Sequence, residues 1–159
     1  MDARMDSRKT AFAYLIVLIG LAILWWAIGL ALRRQLADTL TTAVHHYNLG
    51  YASVIDLGAL VEFSWDELYI FPPYTNRSQI EAALGLRWGW PRPLRIESSD
   101  SICLLVFLAD GRVVRYVELH RSGADYAAVA ALGPFTPGTA VFVVNPEGST
   151  NIEVLQFTP

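Results

Sequence analysis

"SICLLVFLADGRVVRYVEL", residues 101–119, decides the fold. Two runs rich in β-branched and aromatic residues flank Asp110-Gly111. That pair suits a two-residue type I′ turn, in which both central positions take positive φ. The stretch therefore predicts a β-hairpin. On a regular ladder Leu108 faces Val113, Val106 faces Arg115 and Leu104 faces Val117. The first run is apolar on both faces, as expected of a central strand covered on both sides. The second alternates more and has Arg112, Arg115 and Glu118 to show to water.

Upstream stands "FSWDELYIFPPYTNRSQIEAALG", residues 63–85. Its aromatics alternate at Phe63, Trp65, Tyr69 and Phe71, with Glu67 in the middle of their row. The run "DELYIF" reads as a strand, stopped by Pro72-Pro73, which cannot donate to a ladder. Asn76 then opens a helix, and Gln79 stands at capping-box spacing. Ile80, Ala83 and Leu84 form one apolar face, and Gly85 closes the helix. Two turns are too short to be stable alone, so this helix must pack on the sheet.

Between helix and hairpin, "LRWGWPRPLRI" reads as a loop holding Trp88 and Trp90 among glycine, prolines and arginines. After the hairpin, a short helix is expected over 125–132, stopped by Gly133-Pro134. "TAVFVVN" and "NIEVLQF" are two further strands, and "ASVIDLGALVEF" is a strand or an irregular linker.

The N-terminal part is of another kind. The chain has 159 residues, of which 53% are hydrophobic and 17% charged. The apolar excess concentrates in "AFAYLIVLIGLAILWWAIGLAL", residues 11–32, which carries no charge. As a helix it is roughly 33 Å long, enough for a hydrocarbon core of about 30 Å. A cleaved signal peptide has a shorter apolar region and a small-residue cleavage site; here Arg33-Arg34 follow the run directly. The run reads as an uncleaved signal anchor. Arg4, Arg8 and Lys9 precede it and two arginines follow, which favours a cytoplasmic N-terminus. Leu36, Leu40, Val44 and Tyr47 continue at helical spacing beyond it.

Residues 51–159 contain seven arginines, no lysine and twelve acids, a formal charge of 7 − 12 = −5. That balance argues against a nucleic-acid partner, because phosphate binding needs basic surface. The single cysteine, Cys103, forbids an internal disulfide. His45 and His46 are adjacent and point about 100° apart on a helix, so they cannot share a metal unaided. No metal or cofactor is expected. No G-x-S-x-G, H-E-x-x-H or phosphate-cradling glycine loop is found.

"WDELYIFPPYT", residues 65–75, resembles a motif of small bacterial envelope lipoproteins and single-pass envelope proteins, the YafY/YfjS-like group. The similarity extends through "IEAALGLRW", "LLVF" and "DGRVV". The resemblance brings no established reaction or ligand. It implies tethering outside the cytoplasmic membrane, and this chain lacks the lipidated cysteine of the lipoproteins.

The 63–85 stretch admits two readings. Asp66, Glu67, Tyr69 and Tyr74 can form an acid–base group beside an aromatic platform, provided burial tunes a carboxylate. Alternatively a bend at Trp65-Asp66 lets Asp66 cap a backbone turn, leaves Glu67 exposed and breaks the aromatic row. Trp65, Tyr69 and Phe71 then anchor the core, and Tyr74 packs over the helix start. Trp88 and Trp90 are candidates for contact with a partner or with headgroups, or fold back as a lid over the sheet. The partner-binding candidates are therefore Trp88, Trp90, Asp66 and Tyr74, with no catalytic residue assigned.

The expected class is α+β: an N-terminal transmembrane helix followed by a small antiparallel sheet with one or two packed helices. Residues 1–10 form a cytoplasmic segment, 11–32 the span, 33–50 a juxtamembrane helix and 51–159 the domain. The leading function is a non-enzymatic, membrane-tethered module of the bacterial inner membrane, its domain extracytoplasmic, binding a protein or small ligand. The alternatives are a small hydrolase-like membrane-anchored enzyme and an accessory subunit of a membrane complex. Glu67, His120 and Asp100 in mutual hydrogen-bond reach would favour the enzyme.

Overall fold

The computed structural model describes residues 3–48, 54–89, 93–122, 125–144 and 152–154. The chain divides into two compact units, Met1–Gln35 and Leu36–Pro159.

Residues 3–35 of the first unit belong to the helix α1, Ala3–Asn48. No turn over residues 12–32 buries a side chain. Trp25 is 75% exposed and Tyr14 72%. A stretch apolar all round and buried nowhere over residues 12–32 has the composition of a signal sequence or of a helix that crosses a membrane. It is long and apolar enough to cross one.

The second unit holds two three-stranded antiparallel sheets rather than the single sheet expected from the sequence. One consists of β2 (Glu67–Phe71), β3 (Ile102–Ala109) and β4 (Arg112–His120), in that order. The other has the order β1 (Val54–Asp56), β5 (Val141–Val144), β6 (Ile152–Val154). Val54 pairs with Val143 across most of the domain's sequence. Strands of three and four residues are too short for their pattern to name such a distant partner.

β3 is the central strand of its sheet, and its seven residues 102–108 are all buried. The alternation of side chains across a strand sends them into two separate cores. Cys103, Leu105 and Phe107 enter a first cluster with Leu68 and Ile70 of β2, Ile55 and Phe142 of the other sheet, and Leu36 and Leu40 of α1. Leu104, Val106 and Leu108 enter a second with Phe71, Leu94 and Ile96. A one-turn helix α2, Leu57–Leu60, follows β1. The helix α3, Arg77–Leu84, roofs the second cluster through Ile80 and Leu84, while Ala83 stays exposed.

The local signals around α3 hold. Asn76 accepts from the Gln79 N–H at 3.0 Å, and the Gln79 side chain accepts from the Asn76 N–H at 2.9 Å. Gly85 closes the helix at φ +66, a conformation that favours glycine. Asp110 and Gly111 take φ +50 and +67, as a type I′ turn requires.

The hairpin register departs from a regular ladder. Leu108 pairs with Val113, but the ladder then slips at a β-bulge, so Val106 pairs with Tyr116 and Leu104 with Glu118. Two successive residues absorb the slip: Val114 packs on the first cluster, and the Arg115 guanidinium lies 5.6 Å over Phe63, which packs there too. Beyond the bulge every side chain has changed sides. Val117 and Leu119 join the first cluster, and Tyr116 joins the second.

Candidate functional site

A bend at Asp66 resolves the aromatic row. Phe63 and Trp65 lie with the first cluster, both edge-on to Phe107 at 5.2 and 5.4 Å. Tyr69 and Phe71 lie with the second. Asp66 itself is exposed, and its Oδ2 accepts from the Asp110 N–H at 2.7 Å. It does cap a turn, but that of the hairpin 44 residues downstream rather than one of its own. Glu67 is half-buried, not exposed, and its Oε2 accepts from the Tyr69 hydroxyl at 3.4 Å. Burial first, and the Glu67 charge second, raise the Tyr69 pKa above the ordinary 10.0.

The four candidates do not form one constellation. Asp66 stands at the turn end of β2, and Tyr74 follows its other end. The five residues of β2, about 17 Å of strand at 3.3–3.4 Å per residue, and then Pro72-Pro73 lie between them. Tyr74 is 61% exposed, so its ring does not pack over the helix as expected. Its backbone carries the structural role: at φ +64, its N–H donates to Ile96 O at 2.9 Å.

Trp88 folds back on the sheet. It is half-buried and edge-on to Tyr116, with ring centroids 4.7 Å apart. A clamp from α3 fixes its backbone: its N–H donates to Glu81 Oε1 at 3.1 Å, and its carbonyl accepts from Arg77 Nη2 at 3.0 Å. Arg77 Nε also donates to Glu81 Oε1 at 3.1 Å. Glu118, brought to this face by the bulge, accepts from the backbone N–H groups of both Arg95 and Ile96. Trp90 lies outside the described residues.

Glu67 pairs with Leu108 and His120 with Ile102, at opposite ends of β3. Six strand positions keep them about 20 Å apart, too far to share a proton. Asp100 stands at the His120 end, where its carbonyl accepts from Arg121 Nη1 at 3.0 Å. Among the described residues no group of three His, Cys, Asp or Glu can hold a metal.

One cluster escaped the sequence reading. Arg121 grips Asp125 with two hydrogen bonds, Nε to Oδ1 at 3.0 Å and Nη2 to Oδ2 at 2.8 Å. These bonds raise the guanidinium pKa still further above its ordinary value. Asp125 is buried and caps the 3₁₀ helix Tyr126–Leu132 by accepting from the Ala127 N–H. The i,i+4 spacing of Arg121 and Asp125 was the only signal in the sequence. Burial pushes the nearby Cys103 thiol up to about 11, so it stays protonated and inert near neutrality.

An open groove of about 460 Å³ follows β2, lined by Ile70, Phe71, Pro72, Ala83, Ala130 and Pro134 among others. Its lining is almost wholly apolar and offers contact rather than chemistry.

No family model, no curated protein and no solved structure matches the chain.

Proposed function

We propose that the chain is a membrane-tethered, non-enzymatic module that holds a small α+β domain at the surface of the bacterial inner membrane, where it binds a protein or small ligand. The observation that carries this reading is the division of labour along α1. Its residues 12–32 expose large apolar side chains on every side, whereas Leu36 and Leu40 are buried core residues of the second unit. Lipid solvates the first set without cost, and water does not. Arg33-Arg34 fall at the boundary, where charged residues flank a span.

The basic residues Arg4, Arg8 and Lys9 before the apolar stretch favour an extracytoplasmic domain. Among the described residues, the groove beside β2 and the face around Trp88 offer surfaces for a partner.

Alkaline carbonate extraction tests the tether: the protein should stay in the membrane pellet, and its mass should retain the first forty residues. Release into the supernatant, or a mature chain lacking residues 1–32, would overturn the reading. Protease added to spheroplasts should digest the domain; full protection would reverse the orientation. Recovery of a stoichiometric partner or bound small molecule from mild detergent would support the binding role, and recovery of neither would count against it.

A further inference from the structure

β2 is an edge strand of its sheet, paired with β3 on one side. Its other side is only partly used. There Leu68 exchanges two backbone hydrogen bonds with Phe135: the Leu68 N–H donates to Phe135 O at 2.7 Å, and the Phe135 N–H to Leu68 O at 2.9 Å. Residues along an antiparallel pair alternate between bonding their partner strand and facing away from it. With Leu68 turned to Phe135, it is Glu67, Tyr69 and Phe71 that bond β3, and Ile70 directs its N–H and C=O away from it. Among the described residues no group bonds these two. Pro72, next on this side, has no N–H, and its carbonyl accepts from the Thr75 hydroxyl at 2.6 Å. Ile70 thus presents one donor and one acceptor in the lining of the apolar groove beside β2.

We propose that this groove takes a short, uncharged, extended peptide of a partner protein, which adds to β2 by pairing one residue with Ile70. The inference rests on the binding role given above and names the chemistry of its partner. A backbone donor and acceptor in an apolar lining are costly to leave unmet, and one residue of an extended peptide carries the matching pair. An acyl chain fills the groove but leaves both groups unbonded. A second folded copy finds too little edge. Between the Phe135 bridge and Pro72 only positions 69–71 remain, about 10 Å, a small part of the roughly 1,200–2,000 Å² that a stable interface between folded partners buries.

The lining also selects against charge. Tyr69 is its one ionisable residue, and its hydroxyl already donates to Glu67. A charged side chain would lose hydration there with no counter-charge. Alternation along the peptide sets its other preferences. The residue opposite Ile70 directs its side chain to the face that Ile70 and Ala130 share in the first cluster. Its two neighbours lie beside Tyr69 and Phe71, whose rings stack 6.4 Å apart on the other face, and apolar side chains suit that contact.

The test uses the full chain in mild detergent, with the capped peptide acetyl-Val-Ala-Val-amide as probe. Hydrogen exchange at the Ile70 N–H should slow, roughly tenfold when the peptide stands at about ten times its dissociation constant. The same peptide N-methylated at its alanine lacks the donor for Ile70 O and should lose most of that protection. Ala131→Glu puts a charge into the lining from an exposed position and should abolish it, with β3 exchange unchanged. If β3 loosens, Ala83→Glu, also exposed in the lining, replaces that variant. Equal protection by the two peptides, or none by either up to the solubility limit, overturns the proposal. Protection by decanoate with none by the peptide assigns the groove to acyl chains and overturns it as well. Ile70 exchange as slow as that of β3 before any peptide is added means that the chain's own residues pair with this edge, a third refutation. A stoichiometric partner recovered alongside any of these failures leaves the binding role standing and removes only the groove from it.

Discussion

Trp65→Ala should destabilise the domain by about 3–5 kcal/mol. Trp65 is only 6% exposed and meets Phe107 edge-on at 5.4 Å. A buried aromatic removes about 150–250 Å² from water, which at about 25 cal/mol per Å² amounts to roughly 4–6 kcal/mol. A compact denatured chain hides some of that area already and trims the sum by about 10–40%. Loss of the edge-on ring contact adds about 0.5–1.5 kcal/mol. The result matches the usual cost of truncating a large aromatic in a core. The assay is thermal unfolding of the full chain in mild detergent, followed by near-ultraviolet circular dichroism. For a unit of this size each kcal/mol lowers Tm by about 3–5 °C, so a fall of roughly 10 °C or more is expected. Trp65→Phe keeps a ring against Phe107 and should cost markedly less. A loss below about 1 kcal/mol for the alanine variant would refute the assignment of Trp65 to the core, and with it the structural reading of the aromatic row.

Three further outcomes follow from the geometry. Asp66→Ala removes the acceptor for the Asp110 N–H and should cost about 1 kcal/mol at this exposed position; Asp66→Asn, which keeps an acceptor, should cost less in the same melts. Gly85→Ala forces a side chain to φ +66 with nothing within 4 Å of the new Cβ, so a loss of about 1–2 kcal/mol should be conformational alone. Burial raises the Cys103 thiol from 9.0 to about 11. Both states keep the proton below pH 9, and above it the unfolded chain loses its proton first. Stability should therefore decline as pH rises from about 9 to about 11, and Cys103→Ala should remove that part of the slope. A thiol reagent near neutral pH should label Cys103 only on unfolding.

Signals that depend on a few neighbouring residues were legible. The capping box at Asn76 and Gln79, the left-handed stop at Gly85 and the turn at Asp110-Gly111 are each specified within four positions. The burial of β3 on both faces followed from its unbroken apolar run. Among the candidate residues, the sequence indicated that Asp66 would cap a turn but not which turn, because the bond spans 44 residues. It left Trp88 open between an exposed anchor and a lid, and the clamp from Arg77 and Glu81 makes it a half-buried lid. The exposure of Tyr74 was not legible at all.

By itself the sequence determined the apolar N-terminal helix, the hairpin and the capped helix, because these follow from composition, period and short-range hydrogen bonding. Tertiary structure alone decided that the strands divide between two sheets. It also decided the slip at Val114-Arg115, for which the run "RVVRYVEL" contains no mark. One added residue reverses the facing of a strand whose period is two. That reversal turns Val117 and Leu119 into one core, and places Tyr116 under Trp88 and Glu118 beneath the Arg95 backbone. Which face a side chain takes beyond a bulge depends on packing with distant parts of the chain, so only the assembled fold could settle it.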